Sequence, residues 1–187
     1  MTSFAIPSFE TERLILRAAE MADGDAFAAC MVENRSHFIG APASYRDATR
    51  AFGHMVGLWI LRGFSAHVWT LKGGTVIGHG GPWHPATWPE PEFGWVLYSA
   101  EFEGKGYVTE AMTRLMTWAW NDLGLATCVA FVDPENHGSA RVAKRLGGSL
   151  DAEAPNPFDD GPVDVWRYYP CGNHMHIHQN PNPEAAI

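Results

Sequence analysis

The chain is short of cysteine, of basic charge and of long apolar runs, and each shortage narrows what it can be. Three cysteines in 187 residues, Cys30, Cys128 and Cys171, are odd in number and far apart. That excludes a disulfide framework and fits reduced thiols in a cytoplasmic protein. Lysine and arginine number 13 against 21 acidic residues, a net charge of −8, so no nucleic-acid partner is expected and a cationic or amine partner is easier. No apolar run approaches the ~20 residues that span a bilayer. No basic stretch followed by an apolar one opens the sequence, so neither a membrane span nor a secretory signal is expected.

What is present is ordinary globular composition, 46% hydrophobic and 12% aromatic, enough for one packed domain. From Pro170 the sequence turns to Asn, His and Pro without apolar period, so a domain over 1–170 and a mobile tail over 171–187 are expected. His174, His176 and His178 alternate beside Cys171 and invite zinc or nickel. A metal centre needs ligands on an ordered frame, so adventitious affinity, with no metal required, is the better expectation.

Periodicity supplies the elements. Residues 9–17 alternate as a strand, Asp23 and Asp25 precede a short helix through Met31, and 34–48 reads as loop. Residues 51–63 carry Phe52, Met55, Val56, Trp59 and Ile60 at helical spacing. Strands at 66–71 and 75–80 flank the turn Lys72-Gly73-Gly74. Pro82 to Pro91, with four prolines and two tryptophans, reads as an irregular loop that packs on the domain or lines a cleft. A strand at 92–98 follows. From Val108 the apolar residues Ala111, Met112, Leu115, Met116, Ala119, Trp120 and Leu123 form one helical stripe. A buried strand at 126–132, a helix at 136–146 and a closing hairpin of 149–151 with 163–169 complete an α+β layering.

Between the 92–98 strand and the long helix lies Gly104-Lys105-Gly106-Tyr107-Val108. Glycines there let successive N–H groups converge, and a helix N-terminus attracts anions. The spacing fits neither a P-loop nor a dinucleotide fingerprint. On this loop alone, an anion site and a ligand-free turn are equally good readings.

Further residues break the tie. The run G-K-G-Y-x-T-E-A at 104–111 resembles the pyrophosphate loop of the GNAT N-acetyltransferases, in the form of their RimJ/RimL-like, ribosomal-protein-acetylating branch. Glu103 stands where Gln or Arg is usual, and Val108 where Gly or Ala is usual. Thr11 to Arg17 is similar to the first strand of that branch. Asn136-His137-Gly138-Ser139 through Arg145-Leu146-Gly147 is similar to its second motif, with Gly148 replacing a Phe. The resemblance covers residues 9 to 169 and implies the GNAT acyl-CoA N-acyltransferase fold, a mostly antiparallel mixed sheet with helices on both sides. It implies acetyl-CoA as co-substrate, held by main-chain groups of Leu97, Tyr98 and Ser99, by the loop Glu103, Gly104, Lys105, Gly106, Tyr107 and Val108, and by Asn136 and Ser139. Lys105, Arg141, Lys144 and Arg145 can meet the phosphates. Glu92 lies one residue further from the loop than in most relatives, which implies a β-bulge in the 92–98 strand that splays it from 126–132.

The same resemblance assigns direct transfer of acetyl to a primary amine, without an acyl-enzyme. Glu92 is the candidate base and Ser139 the candidate donor to the departing thiolate. Each has a plain alternative, a solvated strand glutamate and a helix-capping hydroxyl. Asn136 equally well starts its helix. Ala143 occupies the position where many GNAT enzymes carry a Tyr acid. His79 and His84 border the acceptor loop at 82–91. The implied acceptor is a protein N-terminal amine, with small amines such as polyamines or antibiotics as alternatives. A non-catalytic acyl-CoA-binding module and a metal-binding tail protein stay open, as does a homodimer.

Overall fold

The computed structural model describes residues 5–33, 38, 44–158 and 161–170. In chain order its elements are β1 (Phe9–Glu10), β2 (Leu14–Arg17), α1 (Asp23–Val32), α2 (Tyr45–Arg62), β3 (His67–Leu71), β4 (Val76–Trp83), β5 (Glu92–Leu97), a 3₁₀ turn (Ala100–Phe102), α3 (Tyr107–Asn121), β6 (Cys128–Val132), α4 (His137–Arg145), β7 (Ser149–Leu150) and β8 (Asp164–Tyr168). One mixed sheet orders the strands β1-β2-β3-β4-β5-β6-β8-β7. The β5–β6 pair is parallel and the other pairs are antiparallel.

Helix α3 anchors the main core. Val108, Ala111, Met112, Leu115, Met116, Trp118 and Ala119 are buried; of the expected stripe Trp120 is only half-buried and Leu123 lies beyond the helix end, while Trp118 joins the core. Trp118 stacks on Trp59 of α2 with centroids 5.7 Å apart. A second cluster of Phe27, Phe52, Met55 and Ala66 seats α1 and α2. Arg17 fixes the start of α1 through a bidentate pair with buried Asp23, at 2.7 and 2.8 Å.

Four local expectations give way. Residues 9–17 are two strands, because Thr11 turns the chain: its N–H donates to Leu14 O and its hydroxyl accepts from Leu14 N–H. Helix α2 begins at Tyr45, inside the segment expected as loop, because Ser44 caps it by accepting from Asp47 N–H at 3.2 Å. The remainder of that segment, 34–37 and 39–43, lies outside the described residues, as does the tail from Cys171 with its histidines. Strand β4 runs on through Pro82 and Trp83, expected to be irregular. Its partner β3 stops pairing at Gly80, so the donor that Pro82 lacks faces an edge without a ladder.

The fourth concerns the bulge. Strand β5 pairs with β4 in unbroken register from Gly78↔Leu97 to Trp83↔Glu92, so no bulge lies in that pairing. The register shift sits one pair over, between Trp69 and Thr70 against β4. The splay from β6 exists without it. The two strands pair only at Glu92↔Val129, where Val129 N–H reaches Pro91 O at 3.0 Å. Beyond that pair the strands part, and the Phe131 backbone amide lies near enough to the Glu92 carboxylate to favour its charged form.

Candidate active site

The parted strands open two adjoining cavities of about 710 and about 620 Å3, which share Trp95, Val96, Asn136 and Ser139 as lining. Alternation along β5 puts Glu92, Gly94 and Val96 on one face and Phe93, Trp95 and Leu97 on the other. Glu92 belongs to the larger cavity, and the glycine loop to the smaller.

Glu92 is only 9% exposed. Its Oε2 accepts from the indole N–H of Trp83 at 2.8 Å and of Trp88 at 2.6 Å. Burial disfavours the charged form, while these donors and the Phe131 N–H favour it; the balance pushes the carboxyl up to about 7. A group poised there exchanges protons at neutral pH. The plain alternative of a solvated strand glutamate is gone.

The loop from Glu103 to Val108 takes the shape glycine permits. Gly104 and Gly106 have φ of 69° and 82°, and Gly106 caps α3. The first helical bond runs from Glu110 N–H to Gly106 O, so the N–H groups of Tyr107, Val108 and Thr109 precede the ladder and meet the smaller cavity. The turn between β1 and β2 braces this loop. Glu110 accepts from Thr11 Oγ1 at 2.6 Å, Arg13 N–H at 2.8 Å and Arg13 Nε at 2.6 Å. Arg13 also donates to Lys105 O at 2.9 Å and lies over the Tyr107 ring. The Glu103 N–H is spent on Ala100 O, so that amide does not join the loop's free donors; its exposed side chain borders the cavity.

Ser139 lies at the junction. Its Oγ accepts from Trp95 Nε1 at 3.3 Å, and its N–H donates to Asn136 Oδ1 at 3.0 Å. Asn136 is thus the cap of α4, with its side chain in both cavities' walls. Arg141 and Arg145 line the smaller cavity. Leu97 lines it too, but Tyr98 and Ser99 do not. Tyr98 N–H belongs to the ladder with Ile77 O, its hydroxyl meets His79, and Ser99 caps the 3₁₀ turn. Trp95 and Val96 stand where those two were expected. His79 lines the larger cavity and is held neutral by burial, at about 4. His84 turns into its own loop, its ring against Trp88 O. Cys128 is fully buried with its thiol raised well above the usual range, which removes it as a nucleophile.

The residues that sequence reasoning passed over are Trp95, Phe131 and Phe158, along with the role of Trp83 and Trp88 as donors. Two tryptophans in a proline-rich segment were the signal for a cleft wall, but not for indole donors on Glu92. Among the described residues, no group of three or more His, Cys, Asp or Glu is placed to hold a metal ion, and no helix is long and apolar enough to cross a membrane.

A protein-family profile described as the acetyltransferase (GNAT) domain matches residues 13–149. The chain belongs to the GNAT acetyltransferases. The crystal structure of an acetyltransferase from Agrobacterium tumefaciens str. C58 is 39% identical and superposes with a TM-score of 0.83 over 91% of this chain and 98% of that one. The RimL ribosomal L7/L12 alpha-N-protein acetyltransferase, solved with coenzyme A, shares the fold at 18% identity and a TM-score of 0.68 over 87% of this chain and 98% of that one. An uncharacterized N-acetyltransferase, YnaD, from Bacillus subtilis (strain 168) is 34% identical over 56 residues, which span 30% of this chain and 32% of that protein. The chain thus matches about a third of the length of that curated relative. In this GNAT domain the smaller cavity suits an acyl-CoA: the diphosphate is anionic, and helix N–H groups and two arginines face it.

Proposed function

We propose that this domain transfers acetyl from acetyl-CoA directly to a primary amine, with Glu92 as base and Ser139 as proton donor to sulfur. The observation that carries the reading is Glu92 itself, a buried carboxyl with a pKa raised to about 7, in a cavity that adjoins a helix-start anion cradle through Ser139. Gly104, Lys105, Gly106, Tyr107, Val108 and Thr109 hold the diphosphate, with Arg141 and Arg145. Leu97 and Asn136 flank the pantetheine arm.

The chemistry then follows. The acceptor enters as an ammonium ion and loses a proton to Glu92, which makes its nitrogen a nucleophile. The N–C bond forms as the C–S bond breaks. Sulfur takes the second nitrogen proton through the Ser139 hydroxyl, and Glu92 returns the first to solvent. Products are an amide, free coenzyme A thiol and one proton. The likeness to RimL and to an aminoglycoside acetyltransferase, each 18% identical, supports an amine acceptor in general, without choosing between a peptide and a small molecule.

The test is thiol release from acetyl-CoA with amine panels, alongside calorimetric titration with coenzyme A. Glu92→Gln and Ser139→Ala are expected to lose turnover while coenzyme A binding persists. A wild-type protein that binds coenzyme A but releases no thiol with any amine points to a binding module instead.

A further inference from the structure

The larger cavity has a feature that amine acetylation alone does not require. Trp83 and Trp88, both bonded to Glu92, continue into a run of four rings, each standing steeply to its neighbour. Trp83 and Trp88 have centroids 5.7 Å apart at 60°, Trp88 and Phe158 5.3 Å at 86°, and Phe131 and Phe158 5.6 Å at 83°. All four line the cavity and keep part of their surface exposed to it. Such corners of ring faces attract cations, because the face of an aromatic ring is its negative side.

The carboxylate at the base of the box has room for one more donor. An ionised carboxylate offers about four lone-pair sites. Two indole N–H groups, both at Oε2, occupy two of them. Its Oε1 leans over Gly94, at 3.9 Å from where a β-carbon there would lie, and Trp83 Nε1 is 3.2 Å from the same point. Glycine at 94 is therefore what lets the indole and the carboxylate sit together.

Counter-charge is the other half of the argument. Among the described residues, those that line this cavity include two carboxylates, Glu92 and Asp133, and of these Glu92 is the one bonded to the rings. A polycation would need a partner for every buried ammonium group, and an unpaired one is costly to desolvate.

We infer that the cavity is an aromatic cage selective for a small monocationic amine with an apolar alkyl or aryl body. This deepens the acetyl-transfer reading and rests on it only for the fate of the bound amine. The cage reads the ammonium by ring faces and one carboxylate, and the rest of the cavity, with Phe27, Met31 and Met55 in its wall, receives the apolar body.

A quaternary cation tests the cage apart from catalysis, since it has no proton to lose and cannot be acetylated. Benzyltrimethylammonium is titrated into the full chain and followed by tryptophan fluorescence and calorimetry, with benzyl alcohol as the neutral control. Binding of the cation, weakened about tenfold by Trp88→Leu or Phe158→Leu and retained in Trp88→Phe, is expected. Phe158→Leu lies on a loop outside the sheet and keeps the test valid should a tryptophan variant fail to fold. In thiol release, 2-phenylethylamine is expected to exceed spermidine, kanamycin and a peptide N-terminus by at least about tenfold in kcat/KM, near the limit of what pocket complementarity of this kind supplies. The inference is overturned if the cation binds no better than benzyl alcohol, if both leucine variants bind it undiminished, or if spermidine, kanamycin or the peptide is the preferred acceptor. Cation binding without thiol release from any amine leaves the cage standing and removes the acetyl-transfer reading.

Discussion

Replacing Glu92 by Gln tests the site through stability alone, with no assumption about substrate. In the folded chain the carboxyl titrates near 7, against an ordinary value of 4.5. Below about 4.5 the group is protonated in both folded and unfolded chains and adds no pH dependence. Between 4.5 and about 7 the unfolded chain has released the proton and the folded chain has kept it, so stability falls as pH rises. The difference, at 1.36 kcal/mol for each unit, comes to about 3 kcal/mol once pH exceeds 7. Gln stays neutral throughout, and its carbonyl oxygen still accepts from both indoles. Whatever the swap of one carboxylate oxygen for an amide group costs in hydrogen bonding does not vary with pH. The expected result is therefore a change in the gap between the two proteins. Relative to wild type, Glu92→Gln gains about 3 kcal/mol between pH 4.5 and pH 8, or about 6–12 °C in melting temperature for a chain of this size. Differential scanning calorimetry of both proteins across that range, without coenzyme A, reads it directly. Melting curves that run parallel with pH would show that Glu92 is solvated or fully ionised, and the assignment of the base would go with them.

Other consequences are quicker to check. The pH profile of wild-type kcat/KM should rise through an apparent pKa near 7 as Glu92 ionises, and an ascending limb near 4.5 would contradict the burial argument. Ser139→Ala should lower kcat about 10²-fold with coenzyme A affinity little changed, since its N–H still donates to Asn136; an equal loss of affinity would make the hydroxyl a binding group only. Glu110→Gln should raise KM for acetyl-CoA several-fold while kcat holds, because Thr11 and Arg13 lose the carboxylate that holds them, and Arg13 is what ties the Lys105 carbonyl to β1 and β2. Gly106→Ala forces a β-carbon onto φ of 82°, at about 1–2 kcal/mol, and should lower both melting temperature and coenzyme A affinity.

Much of this molecule was written in its local sequence. The stripe on α3, Gly104 and Gly106 at its start, and Asn136 ahead of Ser139 are short-range patterns. Helical period, positive φ and helix capping are decided within a few residues, so each survives into the fold as read. Where the reading failed, long-range partners were the cause. Thr11 breaks the first strand with help from Glu110, 99 residues away. Pro82 stays in a strand because β3 happens to end beside it.

The site divides the same way. Sequence put Glu92 and Ser139 forward as candidates, through their likeness to family motifs. Only the tertiary structure decided what those residues are. Burial raises the Glu92 carboxyl to about 7, against the pull of the Trp83 and Trp88 indoles that donate to it from two separate segments. A pKa is a property of the surrounding space, and the splay that makes that space lies in how β5 and β6 pair at Glu92↔Val129 and then part. Neither is encoded in any window of neighbouring residues.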